Sequence, residues 1–502
     1  MSLLGLDVGT TGCKAAAFSS DGACLATAYR EYATLHPAPD RAELDSRLII
    51  GLIRETLTEV AAATRRDPIT AMSVSTMGEA MTPVAEDGAI LGNCILGVDL
   101  RGAEIIDKLR EDIGQEAFYA INPNILAPNY TLPKLVWLRN NEPDLYNRTW
   151  KFLLWGDLVA FALGCEPVTS HSHANRTLLY DIHAEDWSDR LLAWAGIDRA
   201  ILPTPVASGT IAGTVRDAVA DDCGLPRGVQ VVVGGHDQCC NLLGAGVYEA
   251  GKAVSGMGTV ECITPAYDGI PDPQPMLACG LNIEHSLLPN LYVSFLYNQS
   301  GVLVRWFRDT FAAADKRLAG GADIYDALTA EMPADPTRLL VLPHFEITGA
   351  PHYIADSAGV IAGLKTGTTR GEILKAIIES ATFYFVEPLE ALKSLGIDTS
   401  EFVATGGGAR SDPWLQIKAD ILGVPFVRPK YTECGVLGAA MLAGAATGVF
   451  ANVADAVQAF VQRDRAFEPD PARHRIYQDR YAHYQRLYPA MKDLLADMQA
   501  AP

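Results

Sequence analysis

No two of the ten cysteines stand in C-x-x-C spacing, and the closest pair, Cys239 and Cys240, is directly adjacent. That pattern suggests neither a zinc site nor a redox dithiol; in a long chain it reads as scattered reduced thiols of a cytoplasmic protein. No apolar run reaches the length of a membrane span. The opening Met1-Ser2-Leu3-Leu4-Gly5-Leu6-Asp7 has no basic start, and Asp7 cuts its apolar run short, so it does not read as a secretion signal. Positive charge is scarce: 40 Lys and Arg face 60 Asp and Glu, a net of -20. Such a surface repels phosphate backbones and anionic lipid, so neither nucleic acid nor membrane is an expected partner. There is no G-x-x-x-x-G-K-[ST] segment and no G-x-G-x-x-G at the first strand, which argues against a P-loop enzyme and a dinucleotide-binding Rossmann domain.

What is present points to a two-domain α/β enzyme. A chain of 502 residues with 49% hydrophobic content is too long for one core, so two domains of roughly 200 to 250 residues are expected. Residues 3–9 read as a buried strand ending in a glycine turn. Residues 13–18 and 24–29 follow as strands, with Ser20-Asp21-Gly22 as the turn between them. Helical periodicity runs from Leu48 to Ala63, and residues 69–75 form another apolar strand. Residues 230–235 are a β-branched strand running into glycine, with a boundary near Leu243-Gly244-Ala245-Gly246. Residues 252–263 then repeat the opening theme of strand, glycine-threonine turn and strand, a weak echo that suggests two domains of related plan facing each other. Further on, residues 402–405 run into Gly406-Gly407-Gly408, and Ser411-Asp412-Pro413 opens a helix that stops at Gly423, with Ser411 expected to cap it. Tyr477, Tyr481, Tyr484 and Tyr488 recur at helical spacing and read as a packing stripe on a C-terminal helix.

Three glycine-rich turns each follow a strand. Glycine lets backbone N–H groups line a concavity without Cβ interference, which suits phosphate oxygens. The first turn is Asp7-Val8-Gly9-Thr10-Thr11-Gly12, where threonine hydroxyls and Lys14 add donors and Asp7 is placed to hold magnesium through water. The second is Ser255-Gly256-Met257-Gly258-Thr259. The third, Gly406-Gly407-Gly408, stands at a helix entrance, where free N–H groups favour an anion. The acidic candidate is Asp237 in Gly234-Gly235-His236-Asp237-Gln238, just past a buried strand, where a carboxylate can take the proton of an attacking hydroxyl. Its plain alternative is a helix cap, and His236 reads as a structural neighbour.

These residues carry a family resemblance. Asp7-Val8-Gly9-Thr10-Thr11-Gly12-Cys13-Lys14 looks like the first phosphate hairpin of the FGGY carbohydrate kinases. Residues 359–364, then seven residues, then 372–379, fit that family's long C-terminal signature, and residues 131–141, with Lys134 and Trp137 in place, approximate its other signature. Asn129 departs from the usual residue at the head of the latter. The resemblance spans Leu3 to about Tyr488.

It implies two RNase H-like domains of the actin/hexokinase/Hsp70 superfamily with an interdomain cleft. Residues 1–248 would bind sugar and phosphate, and residues 249–502 the nucleotide. ATP and Mg2+ are the implied cofactors. Asp237 matches the catalytic base, with Asp7 and Asp237 near a magnesium ion held through water. Asp7, Gly9, Thr10, Thr11, Lys14, Gly258, Thr259, Gly406, Gly407 and Gly408 match cofactor-binding positions. Sugar contacts are expected at Met77, Gly78, Glu79, Asp99 and Asp237, with Gly97 replacing the tryptophan of a W-x-D-x-R-like segment that holds Asp99. Met77-Gly78 partly resembles the Met-His of xylulokinases, Gly78-Glu79 the Arg-Glu of glycerol kinases, and Gly235-His236-Asp237 the fuculokinase pattern. A pentulose leads among the expected substrates, with deoxyhexulose, aldonate (gluconate) and short polyol as alternatives. The readings from other classes are an actin- or Hsp70-like ATPase and a non-catalytic sugar sensor. A small-molecule sugar is the expected partner, and self-association into a homodimer is left open.

Overall fold

The computed structural model describes residues 1–500. Two large sheets organise the chain. The first carries, in spatial order, strands Ile211–Thr214, Gln230–His236, Ile69–Thr76, Ser2–Val8, Gly12–Ser19 and Cys24–Glu31. The second carries Arg463–Phe467, Phe426–Pro429, Glu401–Thr405, Lys252–Met257 and Val260–Asp268. Beyond them Leu291–Val293 and Leu296–Gln299 pair with the last strand, and Glu284–His285 forms the edge.

The two sheets share one pairing plan. In each, a hairpin and its next neighbour are antiparallel, two strands then run parallel to the hairpin's first strand, and an antiparallel strand closes the far side. The faint echo between the chain's start and residues 252–263 is therefore a full structural correspondence. It makes loop 77–80 of the first sheet the counterpart of Gly406-Gly407-Gly408 in the second, since both follow the parallel strand next to the hairpin.

Local chemistry accounts for the elements. Helix Ser46–Ala63 starts where the Asp45 carboxylate accepts from the Leu48 N–H at 3.0 Å, and it buries Ile49, Ile53, Leu57 and Val60 at three- and four-residue spacing. Helix Arg370–Phe383 opens with a capping box, in which Glu372 accepts from the Thr369 N–H at 2.8 Å and Thr369 accepts from the Glu372 N–H at 3.2 Å. Helix Asp412–Leu422 stops at Gly423 as expected, at φ +67. Its start corrects the expectation: Ser411 occupies the cap position, but its hydroxyl accepts no hydrogen bond and is buried without a partner. The tail is two helices, Pro471–Tyr484 and Leu487–Ala500. Tyr477, Tyr481 and Tyr484 gather round Phe383, whereas Tyr488 falls on the second helix and packs against His344.

Two crossing helices join the sheets. Asp237–Gly244 follows the first sheet's strand Gln230–His236, and Cys434–Ala446 follows its counterpart Phe426–Pro429. They touch backbone to backbone: a Cβ at Gly244 would overlap the Cys434 carbonyl oxygen, and one at Gly438 the Cys240 carbonyl oxygen. A Cβ at Gly5 would likewise overlap the Val436 carbonyl, so helix Cys434–Ala446 rests directly on the first sheet. Across the junction the Asn241 amide donates to Thr405 Oγ1 at 3.1 Å.

The lysines of the two signature segments hold architecture. Lys134 is buried and donates to the carbonyls of Pro128, Asp99 and Arg101. Lys375 is buried and donates to those of Pro333, Ala334 and Asp335 at 2.8 to 3.0 Å. Trp137 stacks under Arg41 and Arg101, at 4.9 and 5.3 Å.

Candidate active site

Three cavities adjoin in a row: two are walled by residues of both halves of the chain, and the third by the second half alone. The middle one, about 400 Å³, is lined by Asp7, Gly9, Thr11, Lys14, Gly256, Gly258, Gly406 and the entrance of helix Cys434–Ala446. On one side it shares Asp237, Gln238 and Cys262 with a cavity of about 310 Å³. On the other it shares Gly258 with a cavity of about 470 Å³. All three fall in the size range of small-molecule sites. A further cavity of about 490 Å³ lies away from the cleft, among Leu389, Val424, Tyr477 and Tyr481 beneath the tail.

The middle cavity is built mainly from turns. The first hairpin bends through Gly9, whose N–H donates to the Gly12 carbonyl at 3.0 Å, and the second through Gly258. Gly406 has φ +79, and a Cβ there would stand 3.0 Å from the Met257 carbonyl oxygen, so only glycine serves. Lys14 projects into the same space and is tied to Glu433 at 2.7 Å. Asp7 accepts from the Ser75 hydroxyl at 2.5 Å, and burial raises its proton affinity above the usual carboxylate range.

Asp237 is the first residue of its helix, with His236 at the cap position. It keeps 35% of its side chain open to the cleft. Burial, and then the charge of Asp7, push its pKa up to about 7, against the pull of Arg176. His236 Nε2 lies 3.2 Å from Asp237 Oδ1. Burial, Arg176 and His173 hold that imidazole neutral, so it can donate to the carboxylate but carries no charge to it.

The 310 Å³ cavity is lined by side chains of distant origin: Met77 and Glu79 from loop 77–80, Asn129 and Tyr130, Arg176, then Asn282 and Phe295 just outside the second sheet's outer strands and Tyr297 on one of them. Arg176 is the residue that sequence reasoning missed. It follows the short helix His171–Asn175 and binds Glu79 at 2.8 Å and Glu284 at 2.9 Å. No motif marks it, because its partners lie 97 and 108 residues away. Asn129, a departure from the signature, also turns out to face this cavity.

Most expected site residues meet in this row, with two differences. Thr10 faces the 310 Å³ cavity with Met77, Gly78 and Glu79, while Thr11 faces the glycine-lined one. Asp99 is not at the site. It is fully buried, and its oxygens accept from Arg101 N and Nε at 2.9 and 2.8 Å, from Arg101 Nη2 at 2.7 Å and from the Ala42 N–H at 2.8 Å. That saturated carboxylate has nothing left for a substrate; it anchors a loop. Thr259, Gly407 and Gly408 line the 470 Å³ cavity with Arg305, Tyr325, Ser411 and Trp414. The Ser411 hydroxyl and the Trp414 indole N–H are both buried there without protein partners.

A cleft between two sheets of one plan, lined by backbone turns from both and faced by two carboxylates of raised pKa, Asp7 and Asp237, defines a two-lobed phosphotransferase. The chain belongs to the FGGY family of carbohydrate kinases: the family's N-terminal domain matches residues 2–244 and its C-terminal domain residues 282–447. Membership implies ATP as the phosphate donor. Among similar proteins, a xylulose kinase of Bacillus subtilis is 27% identical over 98% of this chain and 97% of its own length. An autoinducer-2 kinase of Escherichia coli K12 is 29% identical over 97% and 94%. The solved xylulose kinase of Rhodospirillum rubrum superposes with a TM-score of 0.88 at 26% identity, covering 99% of this chain and all (100%) of that one. A glycerol kinase of Plasmodium falciparum solved with ADP shares the fold at a TM-score of 0.86 and 19% identity, over 97% of each chain.

Proposed function

We propose that this carbohydrate kinase phosphorylates a hydroxyl of a pentulose, with Asp237 as the base. One observation carries the reading: Asp237 lines both the 310 Å³ cavity and the glycine-lined one, so it stands where an acceptor hydroxyl and a phosphoryl group would meet. The substrate occupies the side of Met77, Gly78 and Glu79. The phosphates lie against Gly9, Thr11, Lys14, Gly258 and Gly406, and the nucleoside lies in the 470 Å³ cavity toward Thr259, Gly407 and Gly408. Ser411 and Trp414 offer it two unused polar groups. Phosphoryl transfer asks mainly for positioning and charge neutralisation, which backbone amides and one lysine supply.

The donor set fits Mg2+. Asp7 and Asp237 face one cavity, and the charge of Asp7 raises the pKa of Asp237, a repulsion that a divalent cation relieves. Among the described residues no three acidic, His or Cys side chains cluster as a cage, so Asp7 and Asp237 would hold the ion through water. When bound, it neutralises phosphate charge.

Residues 1–248 form the sugar- and phosphate-binding lobe in this reading and residues 249–502 the nucleotide-binding lobe. The two sheets support that division, although helix Cys434–Ala446 rests on the first sheet. A cytoplasmic location agrees with ten free thiols. The pentulose assignment draws on the xylulose kinases to which the chain is similar; phosphorylation of an autoinducer-2 signal is the second reading, favoured by the 29% relative. ADP release by purified protein, measured over D-xylulose, other ketoses, autoinducer-2, aldonates and polyols, tests both. D-xylulose is expected to give the highest kcat/KM, and sugar-independent ATP hydrolysis alone would sink the kinase reading.

A further inference from the structure

Two glycines at the substrate cavity vacate space for charged side chains that come from elsewhere. A Cβ at Gly78 would overlap Arg176 Cδ and Nε, and one at Gly97 would overlap Glu79 Oε1. Into that space fits a chain of charges: Glu79, Arg176 and Glu284, linked at 2.8 and 2.9 Å. The guanidinium also lies against the rings of Tyr130 and Phe295, at 5.5 and 5.7 Å. Asn282 donates to Glu284 Oε1 at 2.7 Å from behind, and Glu284 is 1% exposed. The whole assembly is held in place before any substrate arrives.

We infer that Arg176 is a specificity-determining residue that selects neutral substrates and rejects carboxylate-bearing ones. The inference rests on the carbohydrate kinase reading of this site and deepens it. A guanidinium that already faces two carboxylates has no positive charge to spare for a third. The other charged group on the cavity wall is Asp237, so the groups facing a bound substrate sum to negative before the triphosphate is added. Arg176 still has work to do: Nε is taken by Glu79 and Nη1 by Glu284, while Nη2 has no protein partner among the described residues. It donates to a neutral carbonyl or hydroxyl oxygen, while Glu79 accepts from a neighbouring hydroxyl. The fork thus suits a ketose, and its charge balance disfavours an aldonate.

The test is a comparison of kcat/KM for D-xylulose and D-gluconate, with ATP held saturating. The expected preference for the neutral sugar is about 100-fold, since like charges brought together at a binding face are strongly disfavoured. Glu79→Gln removes one of the two carboxylates and releases part of the guanidinium charge, so the gluconate-to-xylulose ratio is expected to rise about 10-fold. Gly78→Ala displaces Arg176 and is expected to raise the sugar KM with the ATP KM unchanged; thermal melting checks that both variants fold. Gluconate turned over as well as xylulose by the native protein overturns the inference, as does an unchanged ratio in folded Glu79→Gln. Failure to phosphorylate any sugar, neutral or anionic, would instead bring down the kinase reading and this inference with it.

Discussion

The two cavities that meet at Asp237 are built differently. The phosphate side is walled mainly by glycine turns and helix ends, and its shape comes from backbone that only small residues permit. The sugar side is walled by long and aromatic side chains from at least five separate stretches of chain, locked together by ion pairs. The phosphate group is common to every reaction of the family, so a fixed backbone cradle serves them all. The acceptor varies, and variation is easier to build from side chains that project from distant loops onto a constant frame.

The sharpest way to break this contrast is at the one side chain both cavities share. Asp237→Asn keeps the shape and removes the base. Turnover is expected to fall by roughly two to four orders of magnitude, with ADP binding by calorimetry retained. Near-native turnover would show that the backbone cradle suffices alone. Asp99 offers the converse. Asp99→Ala leaves Arg101 in a buried site with one partner fewer, and the expected loss is about 3–5 kcal/mol of stability by denaturant unfolding. The sugar KM of the folded fraction should not move; a large KM change would return Asp99 to the site.

Acidity probes Asp237 at a smaller scale. The base works only when ionised, and its pKa is pushed up to about 7. The acid limb of kcat/KM is therefore expected above the ordinary carboxylate range and no higher than about pH 7, because burial keeps raising the pKa while a bound cation relieves the contribution of Asp7. A limb near pH 4 would mean that the site does not retain the proton. Gly406→Ala then tests the backbone side by itself. Holding a residue with a Cβ at φ +79, ψ -173 costs roughly 1–3 kcal/mol, so the turn is expected to shift and the KM for ATP to rise about 10-fold while the sugar KM holds. The smallest effect is at the mouth. The Lys14–Glu433 pair is 28% and 52% exposed on its two side chains, and Glu433→Gln is expected to change stability by less than about 1 kcal/mol.

The same contrast explains what could be read in advance. The glycine turns at 9–12, 256–259 and 406–408 were legible because each lies within a few consecutive residues and follows an apolar strand. Asp237 was legible for the same reason. Arg176 was not, because its role exists only after loop 77–80, the helix His171–Asn175 and strand Glu284–His285 meet. Asp99 was misplaced because its neighbours in sequence resemble a substrate loop; its partner Arg101 stands two residues away, but only the fold turns that guanidinium back onto the carboxylate and brings up the Ala42 N–H. Gly78 and Gly97 looked like departures from a sugar-binding pattern. Their meaning is the volume they leave to Arg176 and Glu79, which belongs to other parts of the chain.

From its sequence alone this protein is a two-sheet α/β kinase with glycine turns for phosphate and one acid placed for catalysis. Periodicity, turn chemistry and short motifs act over a few residues, and such signals survive in a linear string. The tertiary structure alone decided that both sheets follow one pairing plan and that two glycine-faced helices cross at their junction. It also decided that Arg176, paired with Glu79 and Glu284, faces the cavity that we assign to the sugar. Each of these depends on atoms brought together from stretches tens to hundreds of residues apart, where close packing and charge balance act through space and leave no spacing to read.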